Sequence, residues 1–258
     1  MANLLLRLLN DNRSAPRKFE VTNTGGDEAT IYLYDVITPD DSWGGVSAAT
    51  FVQQLASISA STIHLRINSP GGDVFEALAM AQAIREHPAT VIGHVDGYAA
   101  SAATFPAIAC DNVVMAEGSM FMIHRASCLA WGTGADLRST ADLLDKIDQT
   151  IVTMYAKKTG QGDDDITAWM VAETWFTAEQ AVELGFADGM AADGGVENRG
   201  GWNLSAYANH PSNRAEPPPK PQPPEPAPEP APEQIAETNR TVVDTSGLRR
   251  RLALSAYI

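Results

Sequence analysis

The sequence contains few cysteines, few basic residues and no long apolar runs. Its 258 residues include two cysteines, Cys110 and Cys128, which excludes a disulfide-rich scaffold and suits a reducing compartment. Lys and Arg number 18 against 32 Asp and Glu, for a net charge of −14, which opposes non-specific binding to nucleic acid or anionic membranes. No stretch has the length of a transmembrane helix, and the apolar start is interrupted by Arg7. The sequence therefore predicts an acidic, soluble protein of the cytoplasm, with no nucleic-acid or membrane partner.

Strand and helix patterns alternate through the first half, after thirty weakly patterned residues. Runs rich in β-branched and aromatic residues at 31–37, 63–67 and 90–95 predict strands. Helical patterns follow them, with Ser47 as an N-cap, then over residues 74–84 and 99–103, and two further short strands are predicted at 113–115 and 120–123. This alternation predicts an α/β fold with largely parallel strands.

In the second half, the sequence predicts helices first and then, beyond about residue 200, a segment with no helix or strand pattern. Apolar residues at helical spacing predict a long helix over 135–158, and a capping-box-like start at Thr177 opens a short helix that Gly185 closes. Eleven of the 16 prolines lie between Pro211 and Pro232, a composition that builds no core. We therefore expect a domain over 1–200, an acidic Pro-rich linker over 201–233 and a basic-apolar tail over 234–258.

Ser101 is the first candidate for chemistry. The strand at 90–95 leads into Asp96 and Gly97, followed by a run of small residues with one hydroxyl. A strand that turns sharply into a helix exposes a serine near the turn, and the helix amides point at the same place. The surrounding residues do not form G-x-S-x-G, which excludes the α/β-hydrolase motif. The alternative is a serine inside a buried, Ala-rich helix.

Two more candidates follow predicted strands. Gly71 and Gly72 come after the strand at 63–67, where glycines let the backbone approach a ligand and present amides to a carbonyl oxygen. An ordinary turn into a helix would use the same residues. His124 ends the strand at 120–123, where side chains emerge into a cleft, although a histidine there can also serve a local hydrogen bond.

Taken together, four segments resemble the proteolytic subunit of Clp protease in order and spacing. They are INSPGG at 67–72, GYAAS at 97–101, MIH at 122–124 and TAEQAVELGFAD at 177–188, and the resemblance covers about residues 31–190. It implies a ClpP/crotonase-like spiral of strand-strand-helix units, with a protruding handle helix at 135–158. A surface helix packed on its own domain is the other interpretation of that helix. The activity implied is that of a serine endopeptidase with an acyl-enzyme intermediate and no metal or cofactor.

The same resemblance implies roles for individual residues. Ser101 would be the nucleophile and His124 the general base, while the backbone amides of Gly72 and Ala102 would form the oxyanion hole. Glu173 stands where the family usually has the Asp of its triad. A Glu can also orient an imidazole, but its extra methylene must be accommodated.

The residues leave other candidates for the third triad position. Glu173 would otherwise be a solvated charge at a helix end. The alternatives for the carboxylate are Asp163, Asp164 and Asp165.

The resemblance also implies a homo-oligomer and polypeptide substrates. The family forms rings, which can stack in pairs, around a proteolytic chamber. The N-terminal region lacks similarity to the segment that meets the family's AAA+ unfoldase, which argues against that partner. The Pro-rich extension is similar to the ClpP-like head maturation proteases of tailed phages and prophages, which cleave capsid or scaffold proteins. In that setting the tail would be a tether, a scaffold-like segment or a self-cleavage substrate.

Three other functions compete with this interpretation. A crotonase-type acyl-CoA enzyme shares the fold but needs neither Ser101 nor His124, and no basic cluster for a CoA phosphate lies near the glycines. A Ser-Lys protease needs a base lysine, and there is no Lys between residues 19 and 145. An inactive capsid assembly protein could keep the fold, although an intact Ser/His pair argues against it.

Overall fold

The computed structural model describes residues 3–23, 26–191 and 201–211, and these residues build one mixed sheet. From β2 to β5 and β8 the neighbouring strands are parallel, while β1 and β7 pair antiparallel with β2 and β6. The predicted α/β fold with largely parallel strands is therefore confirmed. The strands are β1 (Lys18–Asn23), β2 (Glu28–Tyr34), β3 (Thr62–Ser69), β4 (Thr90–Ala100), β5 (Asn112–Met115), β6 (Met120–Ile123), β7 (Thr174–Thr177) and β8 (Gly189–Met190).

Helices fill the connections, and several begin at the caps that the sequence predicts. The Ser47 side chain accepts from the Thr50 amide at the start of one helix, and Thr177 and Gln180 form a reciprocal capping box at another. None of the described helices combines the length and the apolar character needed to cross a bilayer. The helices are α1 (Leu4–Asp11), α2 (Ala48–Ala56), α3 (Val74–Glu86), α4 (Thr104–Ile108), α5 (Gly134–Thr159), α6 (Asp163–Val171) and α7 (Ala178–Glu183).

The main core lies between the parallel strands and helices α2, α3 and α4. Leu65, Val95 and Phe121 project from the strands and are fully buried, with Phe51 from α2 and Phe105 from α4 packed in the same cluster. Burying these side chains is the main favourable contribution to folding. Because Phe105 anchors α4 in this core, the core fixes the point where the chain leaves β4 and turns into α4.

The structure differs from the expected helix start near Ser101. Strand β4 continues to Ala100, since Ala99 pairs with Phe121 and Ala100 with Met122 of β6. A single 3-10 turn over Ser101–Ala103 follows, and α4 begins only at Thr104. Alanine favours helices, but strand pairing and burial outweigh that weak preference. The helix predicted over 99–103 is therefore wrong, and Ser101 lies at the end of the strand.

Residues 201–211 pack on the domain, although the predicted boundary at residue 200 places them in the linker. Trp202 and Tyr207 are buried in a second cluster with Leu8 and Leu9 of α1. The Trp202 Nε1–H donates to the Asn68 carbonyl at the end of β3, with a separation of 3.0 Å. We call residues 201–211 the C-terminal strap. The rest of the predicted linker and the predicted tail lie outside the described residues.

Candidate active site

The structure brings Ser101 and His124 together at the ends of two paired strands. β4 and β6 run parallel, so the residues that follow Ala100 and Ile123 leave the same edge of the sheet. The Ser101 Oγ lies 2.6 Å from the His124 Nε2. Ser101 has a φ of +54°, a left-handed conformation that costs energy in a non-glycine residue and persists only where the surroundings enforce it. This turn aims the hydroxyl at the imidazole.

A buried pair of hydroxyls holds the Ser101 turn in place. The Thr104 Oγ1 donates to the Ser101 carbonyl oxygen at 2.6 Å and also lies 2.6 Å from the Tyr155 Oη. Both side chains are buried, and Tyr155 belongs to α5. This contact could not be predicted from the sequence, because Tyr155 is indistinguishable there from the other core positions of a long helix.

The Gly71–Gly72 loop lies directly against the turn at Ser101. Both glycines have a positive φ, +91° and +148°. A Cβ on Gly71 would come within 3.0 Å of the Ala102 amide nitrogen, and one on Gly72 would overlap the Ile37 carbonyl oxygen. No acceptor in the described chain pairs with the Gly72 amide. The backbone at Gly72 and the turn at Ala102 therefore border the same space beside Ser101.

Burial and charge act in opposite directions on His124. Burial of the imidazole lowers its pKa, while the charges of Glu173 and Asp148 partly oppose that shift. The balance leaves the pKa below the ordinary value for histidine. The imidazole is therefore neutral near pH 7, and a neutral imidazole has one ring nitrogen that can accept a proton.

Glu173 lies at the border of the site, and its carboxylate binds the C-terminal strap. It accepts hydrogen bonds from the amides of Ala208 at 3.0 Å and Asn209 at 2.6 Å, and from the Trp175 Nε1 at 3.3 Å. Its backbone φ is +48°. Within the described residues its influence on His124 is through charge, not through a hydrogen bond. Its place in a triad thus remains a prediction.

The three alternative carboxylates lie elsewhere. Asp163, Asp164 and Asp165 form the exposed first turn of α6. Acidic residues stabilise a helix there by interacting with its unpaired amides.

Asp148 of α5 is a site residue that the sequence analysis missed. Its buried carboxylate accepts from the Arg125 Nε at 2.5 Å and from the Ala126 amide at 2.8 Å. These bonds fix the segment that follows His124. Only the tertiary structure brings this helix position to the end of β6.

A cavity of about 260 Å³ opens beside the Ser101 hydroxyl. Its walls are mostly apolar, and Phe105, Leu144, Ile147 and Leu4 of α1 are among the residues that line it. Such a cavity has room for an apolar side chain.

Comparison with known proteins agrees with this geometry. A family model described as Clp protease matches residues 14–193. The chain belongs to the Clp protease family. Among its relatives, the ATP-dependent Clp protease proteolytic subunit 3 of Streptomyces coelicolor is 35% identical over 149 residues, 55% of this chain and 69% of that protein. The ATP-dependent Clp protease proteolytic subunit 2 of Corynebacterium efficiens is 28% identical over 183 residues, which cover 66% of this chain and 87% of that protein.

The family match includes the Ser101 and His124 pair but not the whole site. It ends at residue 193, so the strap that contacts Glu173 lies beyond it. The resemblance to Clp protease noted in the sequence is confirmed, and the strap is an addition that the match does not cover.

Proposed function

We propose that the protein is a serine endopeptidase in which Ser101 is the nucleophile and His124 the general base. The observation that carries the proposal is the 2.6 Å approach of the Ser101 Oγ to the His124 Nε2 at a strained turn. The serine oxygen attacks the peptide carbonyl while its proton passes to Nε2. The imidazolium then protonates the leaving amine, and water hydrolyses the acyl-enzyme by the same route.

Two backbone amides are proposed to bind the oxyanion. The Gly72 N–H, which has no acceptor among the described residues, and the Ala102 N–H border the space beside Ser101. Donors placed in advance where negative charge develops stabilise the tetrahedral intermediate more than the ground-state carbonyl. The close packing of Gly71 on this turn keeps the two amides at a fixed separation.

Glu173 is proposed to support the imidazolium as the third member of the triad. Its negative charge raises the pKa of His124, which favours the protonated form once the serine has transferred its proton. The carboxylate accepts hydrogen bonds from the amides of Ala208 and Asn209 and acts on the imidazole through its charge.

The proposed assembly is a homo-oligomeric ring, alone or stacked with a second one. Exposed apolar side chains support it: Trp131 is 81% exposed just before α5, and Leu137 and Leu143 of α5 are exposed as well. An apolar stripe of this kind is typical of a surface covered by another subunit.

The proposed substrates are capsid or scaffold proteins that are processed during phage head maturation. The enzyme itself is proposed to work without ATP. The Pro-rich composition of the C-terminal part supports this setting. Two relatives are named as ATP-dependent subunits, so an added AAA+ unfoldase with ATP is tested as well. Stimulation by that unfoldase would contradict an enzyme that works without one.

Intact mass after treatment with a fluorophosphonate tests the activity. We expect one adduct on the wild-type protein, none on Ser101→Ala, and an undiminished adduct on Ser127→Ala, a matched control because Ser127 lines the same cavity. Light scattering during size-exclusion chromatography establishes the oligomer in the same sample. An assembled wild-type protein without an adduct would favour the inactive assembly protein instead.

A further inference from the structure

Tyr207 of the C-terminal strap contacts both members of the proposed catalytic pair. Its ring is 2% exposed and meets the His124 imidazole edge-on, with centroids 5.5 Å apart and planes at 73°. Its Oη donates to the Pro70 carbonyl oxygen at 2.5 Å. A side chain from beyond the family match thus joins the imidazole to the loop that carries Gly72.

The Tyr207 hydroxyl is buried close to Ser101. Burial raises the pKa of Tyr207, so the phenol keeps its proton near pH 7 and donates it to the Pro70 carbonyl oxygen. The single proton of the Ser101 hydroxyl is left for the His124 Nε2.

The strap holds Tyr207 from both sides. Trp202 is anchored through its Nε1 to the Asn68 carbonyl, and the Glu173 carboxylate accepts from the amides of Ala208 and Asn209. Glu173, which stands at the expected third triad position, thus fixes the segment that carries Tyr207. An ordered aromatic ring held at both ends restricts the rotation of its neighbour.

We propose that Tyr207 is a positioning residue for the Ser101–His124 pair. Its ring fixes the plane of the imidazole, and its hydroxyl holds the Pro70–Gly72 loop against the Ser101 turn. The inference rests on the peptidase function proposed above. Tyr207 does not line the cavity beside Ser101, so it acts on the chemical step and not on the binding of the side chain that fills the cavity.

The test uses the full-length oligomer and a fluorescent fluorophosphonate, with its binding constant and its rate constant of inactivation measured separately. Tyr207→Phe keeps the ring and loses the hydroxyl. We expect about a fivefold lower rate constant with an unchanged binding constant, the effect of one lost hydrogen bond. Tyr34→Phe is the matched control, because it also removes one hydrogen bond of a buried tyrosine hydroxyl, to the Asp96 carboxylate and outside the strap. Its rate constant should stay within about twofold of wild type.

A second readout follows His124 without any need for activity. Exchange of the imidazole C2 proton across pH, followed by mass spectrometry, gives the pKa of His124. The charged and polar groups that act on this imidazole are Glu173, Asp148 and Ser101, which all variants retain. Tyr207→Leu opens the imidazole to water and should raise its pKa, since burial is what lowers it, whereas Tyr207→Phe should leave it unchanged.

Several results would overturn the inference. One is a Tyr207→Phe protein that reacts as fast as wild type, and another is an equal loss in Tyr34→Phe. A faster reaction in Tyr207→Phe would show that the strap inhibits the site. If the wild-type oligomer does not react, the proposed peptidase function fails. The titration then still decides whether Tyr207 controls the environment of His124: an unchanged pKa in Tyr207→Leu rejects it.

Discussion

Removing the Thr104 hydroxyl should lower the stability of the protein and also slow the reaction of Ser101 with a fluorophosphonate. Thr104→Val preserves the shape of a fully buried side chain but leaves the Tyr155 hydroxyl without its partner and releases the Ser101 carbonyl. An unpaired buried hydroxyl costs about 1–3 kcal/mol. The bond to Ser101 matters for activity because that residue is held at a φ of +54°.

The expected loss is large enough to measure by thermal unfolding. A cost of about 1–3 kcal/mol corresponds to a fall in melting temperature of roughly 2–12 °C for a domain of this size. The measurement compares wild type and Thr104→Val at one protein concentration, because an oligomer's melting temperature depends on it. The rate of fluorophosphonate labelling, measured well below the melting temperature, should fall in the same variant.

Two further variants separate the hydrogen bonds from packing. Thr104→Ser keeps the hydroxyl and should keep the labelling rate, although it loses a buried methyl group. In Thr104→Val/Tyr155→Phe both hydroxyls are gone, so the double variant should be less destabilised than the sum of the single ones by about 1 kcal/mol. Additive losses, or a Thr104→Val protein that melts within about 1 °C of wild type, would refute this account of the turn.

Three further predictions concern the catalytic groups and the glycine loop. Because burial lowers the pKa of His124, the labelling rate should stay high below pH 6.5 and fall only in more acidic buffer; a midpoint above pH 6.5 would contradict this. Asp148→Asn removes a charge that raises the same pKa, so its midpoint should lie lower than that of wild type in parallel pH profiles. Gly72→Ala places a Cβ on the Ile37 carbonyl, whereas Gly189→Ala meets no atom within 4 Å. Labelling should be lost in the first and kept in the second, and equal effects would count against a tightly packed loop.

Much of the fold could be predicted because its signals are local. The cap at Ser47, the capping box at Thr177 and the apolar runs of the parallel strands each depend on a few neighbouring residues. The weakly patterned start concealed α1 and β1, whose burial depends on partners far along the chain. Local preference also failed at Ala99 and Ala100, where pairing with β6 prevails.

The candidate site divides in the same way. Its motifs are short, so Ser101, His124 and Gly72 could be found from the sequence, together with the family to which they belong. Thr104, Asp148 and the strap could not, because each acts through a contact with residues distant in sequence.

The sequence by itself determined the order of the elements and the residues that carry the proposed chemistry, since periodicity, caps and motifs are properties of neighbouring residues. Only the tertiary structure decided what surrounds the His124 imidazole. Glu173 binds the amides of Ala208 and Asn209, and Tyr207 packs on the imidazole from 83 positions further along the chain. Contacts of that kind depend on how the whole chain closes on itself, and no local pattern records them.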